Sequence, residues 1–138
     1  MPRTLLLPVA LLALALLGSD APPRYEDGAT ERPELAGAWR YVSYEVGGRR
    51  AKGYGTKTYR QRSFVYECDG HVVEGTFAAG ADWLDETFPQ EGGRVLKCIY
   101  RIDGDTLRIA YKVSGRGERP RGFDDMQDLA IDYYKRVK

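Results

Sequence analysis

The residue types able to do chemistry here are few: two cysteines, one histidine and a spread of carboxylates. His71 follows an Asp69-Gly70 turn and faces Cys68 across it. A Cys/His pair can generate a nucleophilic thiolate. No recognisable motif supplies the acid that would orient the imidazole, so His71 reads as a hairpin-end residue facing solvent. Two cysteines at long spacing and one histidine do not make a zinc site. Glu45 shares the strand parity of Trp39 and Tyr41, and Glu86 that of Leu84 and Phe88, so both are expected to point inward. Two inward carboxylates are the material of general acid–base catalysis. A buried carboxylate needs a partner or a raised pKa, so an ion pair with Lys or Arg, or water at a strand end, is the simpler reading. Asp103-Gly104-Asp105 lacks the further ligands of a calcium loop. Gly55-Thr56-Lys57-Thr58 lacks the Gly-Lys-[Ser/Thr] order of a phosphate loop. No nucleophile–base or metal signature stands, and neither an enzyme nor a cofactor is expected.

Binding chemistry is better represented. Tyr41, Phe64, Tyr66, Tyr100 and Tyr111 fall on apolar strand faces with Glu45 and Glu86 nearby. Aromatic walls with hydroxyl tips suit a small amphipathic ligand. The alternative is that these rings, with Trp39, fill the interior, and the chain length favours a mostly filled barrel with a shallow mouth pocket. Residues 49–62 carry six basic side chains and no acid, with Tyr54 and Tyr59 interleaved. That segment suggests a protein- or glycan-binding face. The plainer reading is a solvated loop balanced by acids such as Asp82, Asp85, Asp124, Asp125 and Asp128. A formal net charge of +1 speaks against nucleic acid as a partner.

The elements that must position these residues read as strands. Gly is 16 and Tyr 10 of 138 residues, a bias toward turns and sheet. Two Asp-Gly hairpins are the strongest signals. In the first, Cys68 faces His71, Tyr66 faces Val73 and Phe64 faces Gly75. The second turns at Asp103-Gly104 and puts Leu96, Cys98, Tyr100, Ile102, Leu107, Ile109 and Tyr111 on one face. Further strands are expected over residues 38–46, 83–88 and 129–137, with a short piece at 49–52 and another starting near Tyr59. Their sum is an all-β, antiparallel barrel of about seven or eight strands.

Residues 1–21 read as a signal peptide: Arg3, an apolar run from Leu5 to Gly18, then small residues. The run is too short for a comfortable membrane span and Pro8 interrupts it, so no transmembrane segment is expected in the mature chain. Residues 22–33 read as a flexible linker and 34–138 as the barrel domain. Export places the protein in the periplasm, cell envelope or extracellular space. There Cys68 and Cys98, both on dry faces, could oxidise to a disulfide or stay as small buried hydrophobes.

Leu35-Ala36-Gly37-Ala38-Trp39 resembles the Gly-x-Trp motif that opens lipocalin-like (calycin) barrels. Residues 34–46 as a whole, Glu74-Gly75-Thr76-Phe77, residues 99–107, the Arg119-Pro120 to Phe123 segment and Lys135-Arg136-Val137 are similar to a small lipocalin-like domain of unknown function abundant in planctomycete secreted proteins. The resemblance runs in order over residues 34–138 and implies the fold, not a ligand or reaction. It also implies that Gly37 and Trp39 begin the first strand and that Arg136, on the last, lies over Trp39 to close the barrel base. The apolar phase Leu129, Ile131, Tyr133 has the opposite parity to Arg136. On that phase either the last strand is bulged or Lys135 takes the place.

Overall fold

A computed structural model of the protein describes residues 32–114, 117–125 and 127–138. The proposed leader and most of the linker lie outside them. Among the described residues nine strands form one antiparallel sheet: β1 Gly37–Val46, β2 Arg49–Lys52, β3 Thr56–Arg60, β4 Ser63–Cys68, β5 His71–Ala79, β6 Trp83–Phe88, β7 Arg94–Asp103, β8 Thr106–Lys112 and β9 Leu129–Arg136. β1 pairs with both β2 and β3, each strand from β3 to β8 pairs with the next, and β9 returns to β1 and closes the sheet. β2 and β3 share one edge of β1: β2 lies beside its last four residues and β3 beside its first four. The break between them, Gly53-Tyr54-Gly55, continues the ladder through Gly53 N–H to Val42 O and Tyr41 N–H to Gly55 O, both 2.9 Å. The pair therefore counts as one interrupted strand, and the barrel is eight-stranded.

The turns follow from residues that tolerate positive φ. Asp69 (51°) and Gly70 (82°) form the two-residue turn of the first hairpin, with the register expected from the sequence. In the second hairpin the turn is Gly104-Asp105, not Asp103-Gly104. Asp103 pairs with Thr106, and among the central residues only Gly104 has positive φ (60°). That is the pattern of a type II′ turn, which wants Gly first. The slip is two residues, so every side chain keeps its face.

The alternation of the strands buries one core inside the barrel. Its lower half is solid: Leu35, Trp39, Tyr59, Leu84, Cys98 and Leu107 are fully buried. A short 3-10 turn, Pro33–Leu35, plugs this end, and Leu35 O accepts the Trp39 indole N–H at 2.9 Å. Arg136 lies over the Trp39 ring at 4.1 Å and donates to the carbonyls of Glu34 and Ala36.

Two parity readings are corrected by the geometry. Between Tyr41 and Ser43 the β1–β9 register shifts by one residue. This bulge at Val42 turns Glu45 outward, where it accepts from Tyr133 Oη at 3.0 Å and faces Arg50. On β9 the strand itself is regular and the apolar phase is the outer one. Leu129 and Ile131 form a second cluster with Ala110, joined by Ile99, Phe123 and Tyr133. The segment 117–125 covers that cluster. Arg119 pins the segment, donating to Cys98 O at 2.7 Å and pairing with Asp85 at 2.8 Å. Asp132, Tyr134 and Arg136 thus take the interior phase.

Candidate functional site

Strand directions put the turns at 47–48, 69–70 and 89–93 and the β8–β9 connection at the end opposite Trp39. The interior is hollow toward that end. The cavity holds about 430 Å³ and reaches from Val73, Glu91, Arg94 and Lys112 near the mouth to Lys57, Glu86 and Tyr134 at its floor. The barrel is therefore filled below and open above, deeper than a shallow mouth pocket.

The floor is charged. Lys57 on β3 meets both carboxylate oxygens of Glu86 on β6 at 2.7–2.8 Å, and Tyr59 Oη donates to Glu86 Oε2. Glu86 is 2% exposed and Lys57 8%. Burial at this depth is tolerable because the two charges cancel and the carboxylate's lone pairs are filled. Lys57 also lies 4.9 Å from the Phe64 ring centroid.

The wall beside it is a tyrosine cluster around one acid. Asp132 on β9 accepts from Tyr41 Oη at 2.9 Å and, at the outer limit of a bond, from Tyr111 Oη at 3.5 Å. Tyr41 stacks on Tyr134 (5.0 Å between centroids) and meets Tyr66 edge-on at 6.3 Å. Burial pushes the Asp132 carboxyl up to about 6, against the Tyr41 hydrogen bond and Lys57, which pull it down. Burial likewise pushes the hydroxyls of Tyr41, Tyr59, Tyr111 and Tyr134 well above the usual phenol range, with the Asp132 or Glu86 charge adding to it. They remain protonated donors at physiological pH. The Gly53-Tyr54-Gly55 break makes room for this cluster. A Cβ at Gly53 would come within 2.9–3.0 Å of the Tyr41 ring, and one at Gly55 would meet Tyr66. Tyr66 Oη donates to Tyr54 O at 2.7 Å.

Of the residues singled out in the sequence, Tyr41, Phe64, Tyr66, Glu86 and Tyr111 line the cavity together. Tyr100 and Glu45 do not. Tyr100 is buried at the closed end, its hydroxyl on Gly80 O at 2.7 Å and its pKa pushed by burial to about 12. Glu45 is outside, so it and Glu86 never face one another. Cys68 and Cys98 are free thiols. They stand on β4 and β7, with two strands between them. At about 4.8 Å per strand that is on the order of 14 Å around the wall, against the roughly 7 Å a disulfide tolerates between Cα atoms. The basic segment does not act as one unit: Lys57 turns inside, while Arg50 lies on Tyr133 outside at 4.1 Å. Among the acids expected to balance it, Asp85 holds Arg119 and Asp125 holds Lys112.

Lys57, Asp132 and Tyr134 belong to the site and were not anticipated. The Thr-Lys-Thr-Tyr alternation at 56–59 places Lys57 on the buried face of Tyr59, a signal masked by the surrounding charge run. For Asp132 the signal was its shared parity with Arg136.

No protein-family model and no curated protein matches the sequence. Two solved structures do. One is a lipocalin-like protein from Bacteroides uniformis, at a TM-score of 0.55 and 13% identity, covering 75% of this chain and 99% of that one. The other is an uncharacterized protein from Bacteroides eggerthii, at 0.54 and 10%, with the same coverage. At such identity the likeness shows the fold: this domain is a lipocalin-like barrel.

Proposed function

We propose that the protein is an exported, non-catalytic binding module that holds a small amphipathic ligand in the mouth of its barrel. One observation carries this reading: a cavity of about 430 Å³, within the range of small-molecule sites, with an apolar and aromatic wall and a few polar groups set into it. Phe64, Phe88, Leu96 and Ile109 supply the apolar surface. Asp132, Lys57 and Glu86 supply the orienting charges. Val46, Val72, Val95 and Val113 stand exposed toward the same end of the barrel, where an apolar molecule would arrive. Export rests on the leader-like residues 1–21, and with it membership among the secreted planctomycete-type domains that the sequence resembles. The rival reading, an outer face built on residues 49–62, loses support because Lys57 leaves that surface.

Binding of the neutral probe N-phenyl-1-naphthylamine tests the proposal. We expect fluorescence enhancement saturating at one probe per chain, and its loss in Val73→Trp, which places an indole across the mouth of the cavity, at an unchanged circular-dichroism spectrum. No enhancement, or equal enhancement in the variant, rejects the cavity as the site. N-terminal sequencing of the protein recovered from its cells tests export.

A further inference from the structure

We infer that the cavity selects an organic cation, an alkyl- or arylamine, whose ammonium sits against the Asp132 carboxylate and the tyrosine rings beside it. The inference rests on the cavity reading above and goes beyond it by naming the head group.

The charges facing the cavity give the first argument. Lys57 is taken up by Glu86. Arg94 at the mouth is taken up by Glu91 at 2.7 Å, and Lys112 by Asp125 at 3.0 Å. Asp132 is left over. Among the described residues no cation lies within ion-pair distance of it, and its side-chain partners are the phenols of Tyr41 and Tyr111. The cavity thus carries one carboxylate without a counter-charge, in a place where burial makes ionisation costly. A monovalent cation removes that cost on binding.

The second argument is the shape of the surroundings. Tyr41 is flanked by Tyr44 (6.3 Å between centroids), Tyr66 and Tyr134. The phenol oxygens that donate to Asp132 keep lone pairs with which they can accept from an ammonium seated against the carboxylate, and the surrounding rings add their attraction for a desolvated cation. A carboxylate ligand would meet Asp132 and Glu86 as like charges, and the charge of Lys57 is already balanced by Glu86. The apolar body of the amine then lies along Phe88, Leu96 and Ile109.

The titratable groups around Asp132 are Tyr41 and Tyr44 from β1, Lys57 from β3, Tyr66 from β4, Glu86 from β6, Cys98 from β7, Tyr111 from β8 and Tyr134 on its own strand. Asp132 is the one among them whose carboxyl is placed near 6, so protonation of Asp132 should weaken cation binding as pH falls.

Titration calorimetry with three probes of one chain length decides the matter: octylammonium, 1-octanol and octanoate. At pH 7.5 we expect octylammonium to bind at least tenfold tighter than either of the others. Asp132→Asn should remove that preference while octanol binding stays. In the unmodified protein, octylammonium affinity should drop about tenfold between pH 7.5 and 5, since the amine stays charged throughout and the carboxylate does not; octanol affinity should not move. This arm needs no variant to fold. Equal binding of all three probes, or a preference for octanoate, overturns the cation assignment and leaves the cavity reading intact. Binding of none overturns both.

Discussion

Lys57 and Glu86 meet inside the barrel at 2.7 Å although they come from β3 and β6, with two strands between them. The pair ties opposite parts of the wall together across the floor of the cavity. Removing one partner strands the other charge in the interior. Lys57→Met should therefore destabilise by about 3–5 kcal/mol. The double variant Lys57→Met/Glu86→Leu should recover most of that loss, because the desolvation cost disappears with both charges. Urea melts of the four proteins in this cycle measure it.

At the other end, Trp39 and Arg136 close the base. Trp39→Ala deletes a fully buried indole and should cost about 3–5 kcal/mol. Arg136→Ala loses the stacked guanidinium and its two backbone acceptors, with about 1–2 kcal/mol for the cation–π contact. A loss below about 1 kcal/mol for Trp39→Ala would contradict its place in the core.

Asp132 should set a pH dependence of stability of unusual sign for an acid. Its native pKa is about 6, above the ordinary value of 3.8. Between those two values the native state holds a proton that the unfolded state has released. This group's contribution is therefore fully present below about pH 4 and is lost as pH rises through 6. Asp132→Asn should raise stability at pH 7.5 by about 1–3 kcal/mol and remove this part of the slope. Melts from pH 4 to 8 on both proteins test it.

The cysteines should differ in reactivity. Burial pushes the Cys98 thiol well above its ordinary range, and the residue is fully buried, whereas Cys68 is half-buried near the mouth. Iodoacetamide on the native protein should label Cys68 alone, and labelling in denaturant should reach both. Mass spectrometry under non-reducing conditions reads the result. Failure of either thiol to react in denaturant would contradict two free cysteines.

Where alternation was strict, the sequence was enough. The faces of β7 and β8 came out as expected even though their turn is Gly104-Asp105, because a two-residue slip preserves parity. Parity failed where something non-local intervened. A bulge at Val42 turned Glu45 outward, and nothing in residues 37–46 announces it. The outer face of β9 is apolar because segment 117–125 folds over it, so its greasy side was mistaken for the inner one. The same error hid Asp132. Lys57 was lost in a run of cations, since a charge reads as solvated until its partner, 29 residues away, is in view.

Among the described residues β2 is the strand with a partner on a single side. Its outer backbone groups offer a template onto which another molecule's strand could add. Arg49, Arg50 and Lys52 line that rail, and all four of its residues are exposed. Two such rails brought together would set Arg49 and Lys52 of each copy against those of the other. This adhesive margin is thereby made repellent to its own kind.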